Sequence, residues 1–228
     1  MKQKVFIIIV FLLSISLFSV QGYAEGGGGY YDVTITNITS GQTFTPIIVL
    51  NHKKGVSLFT PGTPASGSLA ILAESGNTGP LSDMMSMNPK VADIATSDGL
   101  LGPGESTTVT IQRTGGFRYI SLAAMMIPTN DGFIALNSVM APRGHRSVMY
   151  LSPAYDAGSE ENDESCANIP GPFCGGAGLS EENGEGYVHI NDGIHGIGDV
   201  PEDVFDWRNP VARVVIEQVG GHNDDDDD

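Results

Sequence analysis

The chain has 228 residues, with 27 acidic side chains against 11 basic ones, a formal charge of −16 and two cysteines. So acidic a surface repels nucleic acid and anionic membranes and attracts divalent cations, which argues against DNA or RNA as a partner.

The first residues combine a basic start, Lys2 and Lys4, with an apolar run from Val5 to Val20 and the small-residue pattern Gly22-Tyr23-Ala24. That is the layout of a secretory signal peptide, residues 1–24, cleaved after Ala24. The run falls short of the ~20 residues that a membrane-spanning helix needs, and no later segment is apolar enough to span. The expectation is an exported protein, secreted or periplasmic, that begins at Glu25 and makes no stable membrane insertion once the leader is gone. Loss of the two leader lysines takes the formal charge to −18. The remaining ~204 residues suit one domain of the larger all-β kind, residues 31–220, after a flexible Gly-rich spacer at 25–30.

Tyr31 to Asn37 alternates polar and apolar residues, the period-two pattern of a half-buried strand. Thr45 to Leu50 reads as a more buried strand, with Pro46 near its start. Ser68 to Glu74 predicts a short helix capped by Ser66 or Ser68 and ended by Gly76, and Leu81 to Ala95 predicts further helical turns broken at Asn88-Pro89. Met84, Met85 and Met87 fall in this part. They could bind copper(I), but methionines more often fill irregular gaps between a helix and a sheet. Strands resume at Ser106 to Gln112 and Phe117 to Ile127, with Thr114-Gly115-Gly116 as a hairpin-type link. Phe133 to Val139, Arg146 to Leu151, Tyr187 to Ile190 and Val211 to Val219 complete a set of about eight strands, which favours an antiparallel β-sandwich with short helical insertions over a βαβ arrangement. Asp224 to Asp228 form a run of like charge, so residues 221–228 are expected to be a solvated, disordered tail.

Cys166 and Cys174 lie close together in a Gly- and Pro-rich loop. In an exported protein the default reading is one local disulfide, whose small loop stabilises itself more than the whole fold. A thiolate metal site would want C-x-x-C spacing and companion thiols, and neither is present. Asn37-Ile38-Thr39 fits the glycosylation sequon.

Two acidic turns carry the strongest functional signal: Pro128-Thr129-Asn130-Asp131, followed by Phe133, and Pro153-Ala154-Tyr155-Asp156-Ala157-Gly158-Ser159-Glu160. Hard cations need several carboxylate and carbonyl oxygens at short range, and Asp, Asn, Gly and Ser in turns supply both. The first turn resembles the Pro-Ser-Pro-Asp turn of the spondin N-terminal domain family, and the second resembles that family's Pro-Tyr-Asp-Ala-Gly-Thr-Asp. Asn209 to Val214 is similar, more weakly, to the segment that leads into the family's last strand. The resemblance runs from about Tyr31 to Val219. It implies a C2-like β-sandwich with a calcium ion where the two turns meet, held by Asp131, Asp156 and Glu160. Glu160 departs from the family's Asp, although calcium tolerates a longer arm. Asn130 and backbone carbonyls near Ala157 are further oxygens within such a site.

His189, His195 and Asp199 could hold a second metal, but no known ligand spacing is present and the Gly-Asn-Asp content already explains a tight loop. Residues 160–164 lack the EF-hand pattern. G-x-S-x-G, P-loop and Rossmann fingerprints are all absent, so a binding role is favoured over catalysis. The expected function is that of a calcium-binding adhesion module whose partner is an extracellular protein or glycan. A secreted hydrolase with a structural or electrophilic calcium and a periplasmic metal-handling protein are the alternatives.

Overall fold

The computed structural model describes residues 29–144, 146–179 and 184–220. The leader and its cleavage point, most of the spacer and the Asp224–Asp228 run lie outside the described residues. Eleven strands and three short helices follow in the order β1 (Tyr30–Asn37), β2 (Thr43–Phe44), β3 (Ile48–His52), α1 (Gly67–Ser75), α2 (Gly79–Ser86), β4 (Val91–Thr96), β5 (Ser106–Gln112), β6 (Tyr119–Ile127), β7 (Gly132–Met140), β8 (Ser147–Ser152), β9 (Ala154–Asp156), β10 (His189–Ile190), α3 (Glu202–Phe205) and β11 (Ala212–Val219). They form two antiparallel sheets. One has the order β5-β1-β11-β8; the other has the order β10-β9-β7-β6-β3-β4, with β2 joined to β6.

The apolar pattern explains the layering. Val33 and Ile35 of β1, Val109 and Ile111 of β5, and Val214 and Ile216 of β11 point from the smaller sheet into a core shared with Ile120, Leu122, Ala124 and Met126 of β6. The intervening β6 residue Ala123 faces the opposite side, where Ile48, Leu50 and Phe133 pack against Leu69 and Leu72 of α1 and Leu81 and Met85 of α2. A strand with a core on each face must be apolar at successive positions, which is why β6 reads as a continuous hydrophobic run while β1 alternates. The expected antiparallel sheets with short helical insertions are present, but the domain is mixed and not all-β, with more strands than the eight expected. Two antiparallel sheets contain about eleven strands, and two of the helices cover the outer face of the larger sheet.

Two local expectations change with it. Residues 91–96 are strand β4, not helix: α2 ends before Asn88-Pro89, and the chain then pairs with β3 from Ile48 to His52. Thr114-Gly115-Gly116 does not close a hairpin, because β5 pairs with β1 whereas β6 pairs with β3 and β7, so this link crosses between sheets. The packing expectation for the methionines holds for two of the three: Met85 is buried between α2 and the larger sheet, Met84 packs at the edge of that core, and Met87 is 78% exposed. The α1 expectation holds in detail. Ser66 caps the first turn by accepting from Leu69 N, and Gly76 closes the last in the left-handed region at φ +70°.

The sequon is a structural position. Asn37 is fully buried, and its Nδ2 donates to the carbonyls of Gln42 at 2.7 Å and Leu101 at 3.1 Å, so the nitrogen that a glycan would occupy is committed to the fold. Cys166 and Cys174 are disulfide-bonded.

Candidate metal centre

The site lies at the end of the larger sheet where β6 turns into β7 and β9 leaves the sheet. The first turn follows a cis Ile127–Pro128 peptide. Thr129 Oγ1 donates to Met126 O and accepts from Gly132 N at 3.0 Å, closing the loop on itself. Gly132 has no room for a side chain: a Cβ there would stand 2.6 Å from Thr129 Oγ1. The constriction leaves Thr129, Asn130 and Asp131 buried.

The second turn is pinned to the first through Asp131. Its Oδ2 accepts from Ser159 N at 2.7 Å, from Glu160 N at 3.1 Å and from Ser159 Oγ at 3.2 Å. Asp156 lies opposite Gly132 on β7 and opposite His189 on β10, so strand register carries its carboxylate to the same place. Asp156 Oδ1 accepts from Gly158 N at 2.8 Å, and its Oδ2 accepts from Asn162 at 2.8 Å and Asn191 at 3.1 Å. Gly158, at φ +64°, is required by both conformation and space, since a Cβ would stand 2.4 Å from Tyr187 O.

Asp131 and Asp156 are 0% and 1% exposed. Burial, then the charge of Asp156, pushes the Asp131 carboxyl up to about 8 against the hydrogen bonds from Ser159 and Glu160. Burial also raises Asp156, opposed by the hydrogen bonds from Asn162 and Gly158. Asp131 Oδ1 is buried and has no hydrogen-bond partner among the described residues. A buried carboxylate oxygen left in this way is costly, and a cation can satisfy it.

Glu160 is fully buried, and its Oε1 accepts from Asn130 Nδ2 at 3.4 Å. Asn130 binds the following loop, donating to Asp163 at 2.9 Å and accepting from Glu164 N at 3.1 Å. Beside these turns, Asp156, Glu185 and His189 form a potential metal-binding cluster, with one ligand atom of each lying within 4.8 Å of the others. His189 Nδ1 is 3.6 Å from Asp156 Oδ1. His195 does not join it: this residue lines a separate cavity of about 250 Å³ with Asp192, Glu202, Asp206 and Arg208. Asp199 is also engaged elsewhere, accepting from Cys166 N at 3.0 Å.

Glu185 is the member that sequence reasoning missed. It sits between two glycines with no ligand spacing around it, and the bond from Gly186 N to Gly158 O, next to the pairing of β10 with β9, brings it to Asp156. The pairing of Asp156 with His189 has the same origin. A period-two pattern in Tyr187 to Ile190 gives the strand without its register.

Two antiparallel sheets with acidic turns gathered at one end define a class of β-rich binding module. The chain belongs to the spondin N-terminal domain family, whose model, Spondin_N, matches residues 36–161. That match covers just over half of the chain and includes both acidic turns, stopping short of the cysteine loop, Glu185, His189 and the Asn209–Val214 segment. Membership places the chain among non-catalytic modules rather than enzymes. No curated protein is similar enough to be matched. No helix among the described residues is long and apolar enough to cross a membrane.

Proposed function

We propose that the chain is an exported adhesion module that binds calcium where its two acidic turns meet and presents that end to an extracellular protein or glycan. The observation that carries this reading is the burial of Asp131 beside Asp156, with Asp131 Oδ1 left without a hydrogen-bond partner among the described residues. Two carboxylates from separate turns repel when both are ionised, and a divalent cation turns that repulsion into a link between the turns. Asp131, Asp156 and Glu160 are the proposed side-chain ligands. Oxygen donors suit calcium, whose variable coordination number accommodates the longer Glu160. The two sheets and their shared core support a C2-like sandwich in which this end is the ion-binding edge.

A specific observation favours a second reading. The Asp156, Glu185 and His189 group includes an imidazole nitrogen, which suits zinc or a neighbouring transition metal better than calcium.

Thermal unfolding separates the two. Calcium at millimolar concentration, where extracellular modules of this kind work (dissociation constants of ~10⁻⁴ to 10⁻³ M), should raise the melting temperature by mass action. Asp131→Asn and Asp156→Asn should each abolish most of that shift, while His189→Gln should retain it. If His189→Gln removes the shift and Asp131→Asn does not, the second reading replaces the first. Elemental analysis of the purified protein identifies the ion directly.

A further inference from the structure

The cavity that His195 lines is anchored on Ala154, at the start of β9 and close to Asp156. Asn191 N donates to the Ala154 carbonyl at 3.1 Å, and Asn209 Oδ1 accepts from Ala154 N at 2.7 Å. Both asparagines line the space of about 250 Å³, together with an apolar pair, Ile194 and Trp207. That pair belongs to the main core, so the apolar side of the cavity is rigid.

The polar side is fixed before any ligand arrives. Gly193, at φ +102°, lets the chain pass tightly by Asp206, where a Cβ would stand 2.4 Å from Asp206 Oδ1. That oxygen accepts from Ile194 N at 3.2 Å, and Asp206 Oδ2 pairs with Arg208 Nη1, which also donates to the carbonyl of Trp207. Asn191 Oδ1 accepts from Gly193 N at 3.0 Å. Asn191, Asp206, Arg208 and Asn209 are thus each held by the main chain and keep hydrogen-bonding capacity: the Asn209 amide and the remaining guanidinium N–H groups donate, and the Asp206 lone pairs accept.

The cavity is not a second ion site. Among the described His, Cys, Asp and Glu side chains, only Asp156, Glu185 and His189 bring three ligand atoms together. Donors and acceptors side by side around an apolar wall match a sugar ring, whose hydroxyls both give and take hydrogen bonds and whose C–H face packs on an indole. We propose that this cavity binds one neutral pyranose ring of a glycan, with Asp206, Arg208 and Asn209 on its hydroxyls and Trp207 against its C–H face. Asp192 and Glu202, exposed in the same lining, disfavour sulfated or carboxylated sugars. The cavity stands at the end that the adhesion module presents. Asn191 donates to Asp156 Oδ2 at 3.1 Å, and Glu164, which accepts from His195 N and Ile197 N, donates its own N–H to Asn130. The proposal rests on the adhesion reading and names the glycan class that fits, but it does not need the ion.

Trp207 is the only tryptophan of the chain and reports from the site itself. Its emission is titrated with the methyl glycosides of glucose, galactose, mannose and N-acetylglucosamine, with saturation-transfer NMR as a second readout, both in chelator and in millimolar calcium. The expected result is saturable binding of at least one of them in both buffers. Asn209→Asp, which keeps the acceptor for Ala154 N and loses the amide donor, should weaken it ~10-fold or more, as should Asp206→Asn. Glu217→Gln on β11 should leave it unchanged, and melting temperatures check that each variant is folded. No saturable signal from any sugar by either readout overturns the site, as does equal affinity in wild type and Asn209→Asp. A glucuronide or an arginine amide that binds more tightly than every neutral sugar overturns the ligand class. Sugar binding without a calcium-induced rise in melting temperature supports the cavity and counts against the ion, whereas the rise without sugar binding overturns the cavity alone.

Discussion

At the scale of single residues, Asp131 concentrates the physical tension of this protein. A carboxyl that keeps its proton to about 8 in the folded chain, against an ordinary value of 3.8, makes the fold bind more protons than the unfolded chain between those limits. Stability must then fall as pH rises through that window, because proton binding by the native state favours low pH. In a chelator, the urea midpoint of the wild type should decrease between ~pH 5 and pH 8 relative to Asp131→Asn, whose amide does not titrate. Calcium binds the ionised form, so it should stabilise more at pH 8 than at pH 5 and reverse the slope. Parallel profiles for wild type and Asp131→Asn, with and without calcium, would show that Asp131 is not the group responsible.

At the scale of elements, most of the layout was legible and the errors share a cause. Periodicity located β1, β5, β7 and β11 because each buries one face, or two in a consistent way. Ser66 and Gly76 located α1 because a cap is a local device. What failed was pairing. Nothing in Val91 to Thr96 says that an edge of β3 is free to receive it, and nothing in Thr114 to Gly116 says that the chain changes sheets there. The site follows the same rule. Asp131 and Asp156 stand out in the sequence because the glycine and hydroxyl residues beside each are local, whereas His189 depends on β10 register and Glu185 on the Gly186 contact with Gly158. The contribution of the helical layer is directly measurable. Phe133 is fully buried against Phe59 and Tyr155, with ring centroids 5.3 and 5.6 Å away. Phe133→Ala should cost about 3–5 kcal/mol in urea unfolding through the lost contacts and the cavity left behind. Ser66→Ala, which removes only the α1 cap, should cost about 1 kcal/mol. A Phe133→Ala cost no larger than that of Ser66→Ala would mean that α1 and α2 are loosely attached and that the second core contributes little.

At the scale of the whole molecule, charge is polarised along β6. Its nine residues, at ~3.3 Å each, separate a cavity lined by Arg113, Arg118 and Arg143 from the acidic turns by about 26 Å. β11 runs opposite to β6: Ala212 pairs with Ser152 near the acidic turns, and Gln218 lines the cavity with Arg113 and Arg118. The described part of the chain therefore ends beyond that cavity, at Gly220, and the five aspartates at 224–228 follow in the sequence. At physiological ionic strength charges are screened over ~8 Å, so a solvated run of like charge contributes little to an ion held between buried turns, while buried carboxylates beside the ion are screened far less. Deleting residues 221–228 should thus leave the calcium-induced rise in melting temperature nearly intact at 0.15 M salt, conditions under which Asp131→Asn, a change of one charge, should abolish most of it. A rise that shrinks in proportion to the charge removed, and that vanishes in ~0.5 M sodium chloride for wild type and deletion alike, would mean that calcium reports the net negative field of the surface and not a site between the two turns.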